Sequence, residues 1–268
     1  MNAAELTSAA NPRVRAAGRL RDRREREALG LSLVDGAREI GRALAAGVET
    51  VELFSCPGLI TSTEAHAALD AALTANVTIT AVSERVLARL AFGDRSDGLV
   101  AVIRTPPTDL ARLVLPAEPL IVVAESVEKP GNLGAILRSA DGAAADALIA
   151  ADPRTDIFNP NAIRASLGTI FALPVAVATT AATIAWLRDA RIAIVVARVD
   201  GSLPYTEVDL CGPLAIVLGS EAEGLASAWS GPGIQAVRLP MLGVADSLNV
   251  SAAAAILLYE ARRQRGLP

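Results

Sequence analysis

The sequence predicts an α/β protein with a parallel sheet in its C-terminal part and a smaller α/β unit before it. Three observations carry this expectation. Strand-like and helix-like runs alternate from residue 35 onward, the pattern of a sheet covered by helices. In the second part the strand-like runs LIVVAES, IAIVVARV and LAIVLGS are almost wholly apolar, as strands buried on both faces of a parallel sheet are. Four prolines fall across residues 106–119, and proline-rich stretches mark the seams between compact units. The expected organisation is an N-terminal unit over 1–105, a linker over 106–116 and a second domain over 117–268.

In order along the chain, the first unit reads as helix DGAREIGRALAAG, strand VETVELFS, helix TEAHAALDAAL, strand VTITAVS, helix SERVLARLAF and strand GLVAVIR. The second reads as strand LIVVAES, helix NLGAILRSADGAA, strand ALIAA, helix NPNAIRASLGTIF, strand VAVATT, helix AATIAWLRDA and strand IAIVVARV. Strands LAIVLGS and IQAVRLP and a long closing helix, SLNVSAAAAILLYEARRQR, complete it. The 268 residues suffice for two units, since single cores divide into units of ~100–150 residues.

Hydrophobic residues make up 52% of the chain and charged residues 20%, a composition that builds a large core and excludes global disorder. No apolar run reaches the ~18–20 residues that span a bilayer, and the polar start MNAAELTSAANPRVR lacks the apolar stretch of a secretion signal. The expected partner list therefore has no membrane, and the expected location is the cytoplasm. Cys56 and Cys211 stand far apart, a pattern of buried structural thiols that supports neither a disulfide framework nor a thiolate metal site. His66 is the only histidine and sits in an alanine-rich helix. No metal is expected, and a Ser-His-acid triad is disfavoured.

The net charge of −4 argues against a chain coated with basic residues. Arg13, Arg15, Arg19, Arg21, Arg23, Arg24 and Arg26 nevertheless crowd the N-terminus, with Asp22, Glu25 and Glu27 among them. Two readings stay open: a solvated helix with internal ion pairs, or an arm whose guanidinium forks grip phosphate oxygens.

Three motifs carry chemistry. Glu128-Lys129-Pro130-Gly131-Asn132-Leu133-Gly134-Ala135-Ile136-Leu137-Arg138-Ser139-Ala140 follows the strand LIVVAES. Its glycines open the strand-to-helix turn to close approach by a ligand, and helix N-termini attract anions. It lacks the third glycine of a dinucleotide fingerprint, which disfavours a nicotinamide-dependent oxidoreductase. Arg138 taken alone is more often a helix-surface residue or ion-pair partner than a functional one. Leu218-Gly219-Ser220-Glu221-Ala222-Glu223-Gly224-Leu225 follows the strand LAIVL; alone it is a turn with solvated carboxylates. Leu239-Pro240-Met241 precedes Asp246-Ser247-Leu248-Asn249-Val250-Ser251, where Ser or Asp reads as a cap on the last helix.

Taken together, in this order and spacing, the three motifs resemble the signature motifs of the SpoU/TrmH branch of the SPOUT methyltransferases. The resemblance covers residues 117–268, and residues 1–105 are similar, more loosely, to the substrate-binding domain that many members carry. It implies S-adenosyl-L-methionine as cofactor, a C-terminal trefoil knot and a homodimer. It also implies 2'-O-methylation of a ribose in structured RNA, 23S ribosomal RNA before transfer RNA. On this resemblance Leu218, Gly219, Leu239, Met241, Ser247 and Leu248 bind the cofactor. Arg138, Asn132, Glu221, Ser247 and Asn249 form the active site. One departure is Glu-Lys-Pro-Gly at 128–131, where many members have an aspartate-proline pair. Lys129, the only lysine of the chain, is there available to an RNA phosphate. The expected chemistry is in-line attack of the ribose 2'-oxygen on a sulfonium methyl. Arg138 grips the phosphate and polarises the hydroxyl, Asn132 and Ser247 orient it, and Glu221 holds Arg138 or a neighbouring donor. The rivals are a transfer-RNA 2'-O-methyltransferase, a base-modifying SPOUT enzyme and a catalytically silent RNA-binding or ribosome-assembly factor.

Overall fold

The computed structural model describes residues 5–92, 97–220 and 222–266. The first elements in chain order are α1 (Pro12–Arg19), α2 (Arg23–Leu29), β1 (Leu31–Asp35), α3 (Ala37–Ala45), β2 (Thr50–Ser55), α4 (Thr63–Thr74), β3 (Ile79–Ala81), α5 (Glu84–Leu90) and β4 (Leu99–Arg104). Then come β5 (Leu120–Glu125), α6 (Pro130–Gly142), β6 (Ala147–Ala151), α7 (Pro160–Ala165), β7 (Val175–Ala178), α8 (Thr180–Asp189), β8 (Ala193–Ala197), β9 (Leu203–Pro204), β10 (Leu214–Leu218), β11 (Ile234–Arg238) and α9 (Val250–Gln264). They form two units, Met1–Pro106 with Phe158–Ala172, and Pro107–Ile157 with Leu173–Pro268.

The N-terminal unit is built on a four-stranded sheet of order β1-β4-β2-β3. β4 is antiparallel to both β1 and β2, and β2 is parallel to β3. Val14, Ala17 and Leu20 pack with Phe54, Val86, Leu87 and Leu90 in one apolar cluster. α7 belongs to this unit: the Ser32 hydroxyl donates to the Phe158 carbonyl at 2.6 Å, and Arg164 pairs with Asp35 at 2.7 Å. Burial pushes the Asp35 carboxyl above its usual range, against the lowering effect of its bond from the Phe92 N–H and of Arg164.

The second unit carries a seven-stranded sheet of order β7-β6-β5-β10-β8-β11-β9, and the pairings among its described strands are all parallel. Every residue of β5, β6 and β10 is buried, so these central strands are covered on both faces as their apolar sequences anticipate. Trp229, 1% exposed, closes one face of the core together with Ile121, Val123, Val217 and Leu187. α6 and α9 pack against each other, with α9 burying Val250, Ala254, Leu257, Leu258 and Ala261. Arg262 donates to the carbonyls of Ala143 and Ala144, which are left open where α6 ends. Arg265 donates to the carbonyls of Leu210 at 3.0 Å and Glu118 at 3.1 Å, and to that of Gly212. The closing helix is thus stitched to the rest of the unit at its far end by arginine-to-carbonyl bonds.

Candidate active site

Because the sheet of the second unit is parallel, the carboxyl ends of its strands share one edge. The chain leaves β5 for β6 and β7 in one direction and then returns to β8 on the other side of β10. Such a reversal opens a crevice beyond the strand ends, the preferred ligand site of open α/β sheets. The first motif follows β5 and the second follows β10, its immediate neighbour; the third follows β11.

In the first motif the backbone turns at Ser126, whose φ is 51°, and enters α6 at Pro130. Proline suits this position because the first helical N–H has no partner within the helix. Lys129 stands at the cap position without a capping side-chain bond and is exposed. Asn132 lies in the first turn. Its Oδ1 accepts from Asn249 Nδ2 at 3.3 Å, which ties the first motif to the third. Its own Nδ2 is buried without a partner, and such an orphan donor in a folded protein calls for an explanation. Arg138 is exposed and is not bonded or ion-paired to any described residue through its side chain. Six residues along a helix amount to about 9 Å of rise and about 120° of rotation, so Arg138 and Asn132 leave α6 on different faces.

In the second motif Leu218 is buried at the end of β10. Gly219 is closely embraced by the backbone: a Cβ there would lie 2.3 Å from the Gly224 carbonyl carbon and 2.6 Å from the Leu225 nitrogen. Ser220 and Gly224 exchange backbone bonds of 3.1 and 3.0 Å, and Ser220 Oγ accepts from the Glu223 N–H at 3.1 Å. Glu221 lies outside the described residues. Glycine is therefore required at 219 by the turn itself.

Two residues that sequence reasoning passed over hold this loop. Glu125, the last residue of β5, is only 2% exposed. Its Oε1 accepts from Thr180 Oγ1 at 2.7 Å and its Oε2 from the Ala226 N–H at 2.8 Å. Arg154 donates to Glu128 before α6 and to Glu223 of the second motif, each at 2.6 Å. The only sequence signal for Glu125 is a carboxylate closing an otherwise apolar strand; Arg154, in a polar loop, has none.

In the third motif Leu239 and Met241 are half-buried, Ser247 is exposed, and Leu248 is 40% exposed. Residues 240–248 make no hydrogen bond to any other described residue, and Leu242 and Val244 stand fully in solvent. The cap of α9 is Asn249, whose Oδ1 accepts from the Ser251 N–H at 2.9 Å and from Ser251 Oγ at 2.6 Å. The final helix accordingly starts at Val250, three residues later than its sequence pattern suggests.

The remaining candidates sit elsewhere. His66 is exposed on α4 with Nδ1 2.9 Å from the Ser62 carbonyl. Cys56 is buried, whereas Cys211 is exposed and does not match the expectation of a buried thiol. Among the described residues there is no group of three or more metal-ligating side chains, and no helix is long and apolar enough to cross a membrane. The N-terminal arginines divide between the two readings. Arg13 pairs with Glu52 at 2.5 Å, Arg23 pairs with Glu27 at 2.6 Å, and buried Arg26 donates to the Leu20 carbonyl at 2.8 Å. The side chains of Arg15, Arg19 and Arg24 have no partner among the described residues.

Comparison with known proteins gives the family. The SpoU rRNA Methylase family matches residues 119–259, and the MRM3-like substrate binding domain matches residues 11–101. A 23S rRNA (uridine(2479)-2'-O)-methyltransferase of Streptomyces viridochromogenes is 37% identical over 62% of this chain, a match that spans 60% of that relative's length. A crystal structure of an RNA 2'-O ribose methyltransferase superposes with a TM-score of 0.86 at 40% identity, covering 98% of this chain and 99% of that one. The AdoMet-bound rRNA methyltransferase of Sinorhizobium meliloti gives 0.86 at 30% identity, covering 97% of each chain.

Proposed function

The chain belongs to the SpoU rRNA methylase family, and from that premise we propose that it transfers a methyl group from S-adenosylmethionine to a ribose 2'-oxygen of 23S ribosomal RNA. The observation that carries the reading is the Asn132–Asn249 amide pair. It joins the first and third motifs and leaves the buried Asn132 Nδ2 without an acceptor. A hydroxyl or carboxylate oxygen brought into the crevice satisfies that donor.

The residues present fit the cofactor. Residues 240–248 keep their amides and carbonyls unbonded to other described residues, and Leu248 holds apolar surface in solvent. Backbone contacts at Gly219, Leu239 and Leu248 would hold S-adenosylmethionine, with Leu218, Met241 and Ser247 lining the pocket. When bound, it supplies an electrophilic methyl on a sulfonium, a leaving group that needs no proton.

The chain's own residues orient and polarise the alcohol, whose proton leaves to solvent late in the step. Asn132 donates from Nδ2 to the incoming oxygen, and Asn249 fixes the Asn132 amide through its Oδ1. Arg138, exposed and unpaired among the described residues, grips the RNA phosphate and polarises the hydroxyl. A guanidinium is a planar, delocalised cation, so it acts as a charge and a fork rather than as a resting base. Ser247 adds a further orienting hydroxyl, and Glu221 completes the polar set. Holding these groups in place beforehand is what lowers the barrier.

The reading includes a trefoil knot, supported by two glycines pressed against backbone. In addition to the close approach at Gly219, a Cβ at Gly201 would lie 2.5 Å from the Val237 carbonyl carbon. It also includes a cytoplasmic location, and a homodimer supported by exposed Leu242, Val244 and Tyr259 in the third motif and α9; sedimentation showing an active monomer at micromolar concentration refutes the dimer.

The product decides the reaction. A 2'-O-methyl ribose lacks the nucleophile that cleaves RNA in alkali, so the methylated linkage survives hydrolysis as a dinucleotide. Arg138→Ala should keep cofactor affinity and lose turnover by about 100-fold or more, the cost of removing one preorganised donor. An alkali-labile methylated product, or near-normal single turnover by Arg138→Ala, overturns the proposal.

A further inference from the structure

We propose that the groove between α1 and α5 of the N-terminal unit binds the phosphodiester backbone of the RNA substrate. The inference rests on the reading of the chain as an RNA methyltransferase and names where, on that unit, the RNA is held.

The two helices meet through Val14 and Ala17 of α1 and Val86, Leu87 and Leu90 of α5, all buried. This fixes their spacing. The strand-like start of the chain completes the wall: Leu6 bonds to Ala81 at 2.9 Å and accepts from Ser83 at 3.1 Å, which lays Thr7–Ala10 beside the start of α5. Two adjoining hollows of about 600 and 480 Å³ result, sharing Ala9, Arg15 and Arg89. Thr7, Ser8 and Arg85 line the first, and Arg21 and Gly18 the second.

The charge in this groove is one-sided. No carboxylate lines either hollow. Arg15, Arg85 and Arg89 are exposed, and their side chains have no partner among the described residues. Arg85 and Arg89 sit four residues apart on α5, where like charges repel and destabilise a helix. The carboxylate of Glu84, next to Arg85 in sequence, lies toward Gly58, 4.0 Å from where a Cβ there would stand. Arg21 is held in place by donating to the Ala91 carbonyl at 2.8 Å and stacking 4.2 Å over the Phe92 ring. Its charge is retained without an acid.

Gly18 supplies the second observation. Gly18 is the penultimate residue of α1, and nothing lies within 4 Å of where its Cβ would be. Packing does not require a glycine there, and its absence of side chain keeps the groove floor open. Convergent guanidiniums, two hydroxyl-bearing residues and an open backbone floor match phosphate oxygens in both charge and geometry. A run of successive phosphates, as RNA presents, uses the whole groove.

The test uses the full chain and an unmodified 23S rRNA transcript made in vitro. The triple variant Arg15→Gln, Arg85→Gln, Arg89→Gln removes charges that hold no internal bond, so its melting temperature should match wild type. Its plot of log affinity against log salt should be shallower by about 2–3, since each phosphate contact contributes about 0.7–0.9 to the slope. KM for the transcript should rise at least about tenfold, the scale of losing several phosphate contacts, with kcat and S-adenosylmethionine affinity unchanged. Gly18→Gln fills the groove without altering charge and should also raise KM. A control lacking Arg23, Arg38 and Arg104, arginines already ion-paired at the surface, should retain most affinity. An unchanged salt slope in the groove variant, or an equal loss in the control, overturns the proposal. The underlying reading fails separately: wild type that leaves no 2'-O-methyl ribose in the transcript refutes the reaction, whatever the groove binds.

Discussion

Glu125 offers the sharpest test of how the site is held. Its carboxylate is buried, and it accepts from Thr180 Oγ1 at 2.7 Å and the Ala226 N–H at 2.8 Å. Glu125→Ala removes two hydrogen bonds accepted by a buried carboxylate, from Thr180 Oγ1 and from the N–H of exposed Ala226, worth about 1–3 kcal/mol together. Deleting the one buried methylene, Cγ, adds about 0.8 kcal/mol, while the Thr180 hydroxyl rotates to a new partner. The sum is about 2–4 kcal/mol, a large part of a typical stability of about 5–15 kcal/mol. Glu125→Gln is milder. Its amide oxygen keeps the Ala226 bond and its NH2 donates to Thr180, so only charge assistance is lost, about 1 kcal/mol. Urea denaturation reads both values. Because Ala226 ends the turn that starts at Gly219, the glutamine variant should also raise KM for S-adenosylmethionine severalfold while kcat stays near wild type. A loss below 1 kcal/mol for Glu125→Ala, or wild-type KM in Glu125→Gln, refutes the reasoning.

Asn249 separates cap from chemistry. Asn249→Asp keeps the oxygen that caps α9 and loses the Nδ2 donor to Asn132, so it should fold normally and turn over slowly in single-turnover assays. Asn249→Ala should in addition lose about 1 kcal/mol of stability from the missing cap. Gly219→Val must push the backbone at Gly224 aside; calorimetry should show lost cofactor affinity, and denaturation a cost of about 1–3 kcal/mol from overpacking. Glu260 has its carboxyl lowered to about 2 by bonds from Arg263 and Gln264. A depressed acid stabilises the fold above its ordinary pKa of 4.5, and that contribution is lost as pH falls from 4.5 through about 2. With Arg263 66% exposed, solvent screening leaves about 1 kcal/mol, so Glu260→Gln should flatten acid unfolding by that amount in denaturant titrations.

The fold was legible where burial acts on contiguous residues. β5, β6 and β10 read as apolar runs because both faces are covered, and each appears in the parallel sheet. β1 was not separable from its surroundings: LSLVD is short, and the helical arginine-rich run before it and the helix after it obscure its pattern. β9, two residues long, has no period to detect. The place of α7 was hidden for a different reason. Its own sequence reads as a helix in the second part, and what draws it to the first unit is the Ser32–Phe158 bond and the Arg164–Asp35 pair. Those partners lie more than a hundred residues away, and local periodicity carries no record of them.

The same distinction divides the candidate site. Asn132, Arg138, Gly219, Ser247 and Asn249 stand out because the three motifs that carry them resemble those of the SpoU/TrmH methyltransferases. The resemblance names the residues and leaves their division of labour open. Only coordinates show that Asn249 serves first as a helix cap and then, through its other amide atom, as the tie to Asn132. One residue therefore couples the start of α9 to the start of α6, and any shift between these helices moves the orphan Asn132 donor. Glu125 and Arg154 act at the same edge without motif status, by joining loops that follow different strands. Their effect depends on which strands are neighbours, and that order, with β10 beside β5, exists only after the chain has reversed direction across the sheet.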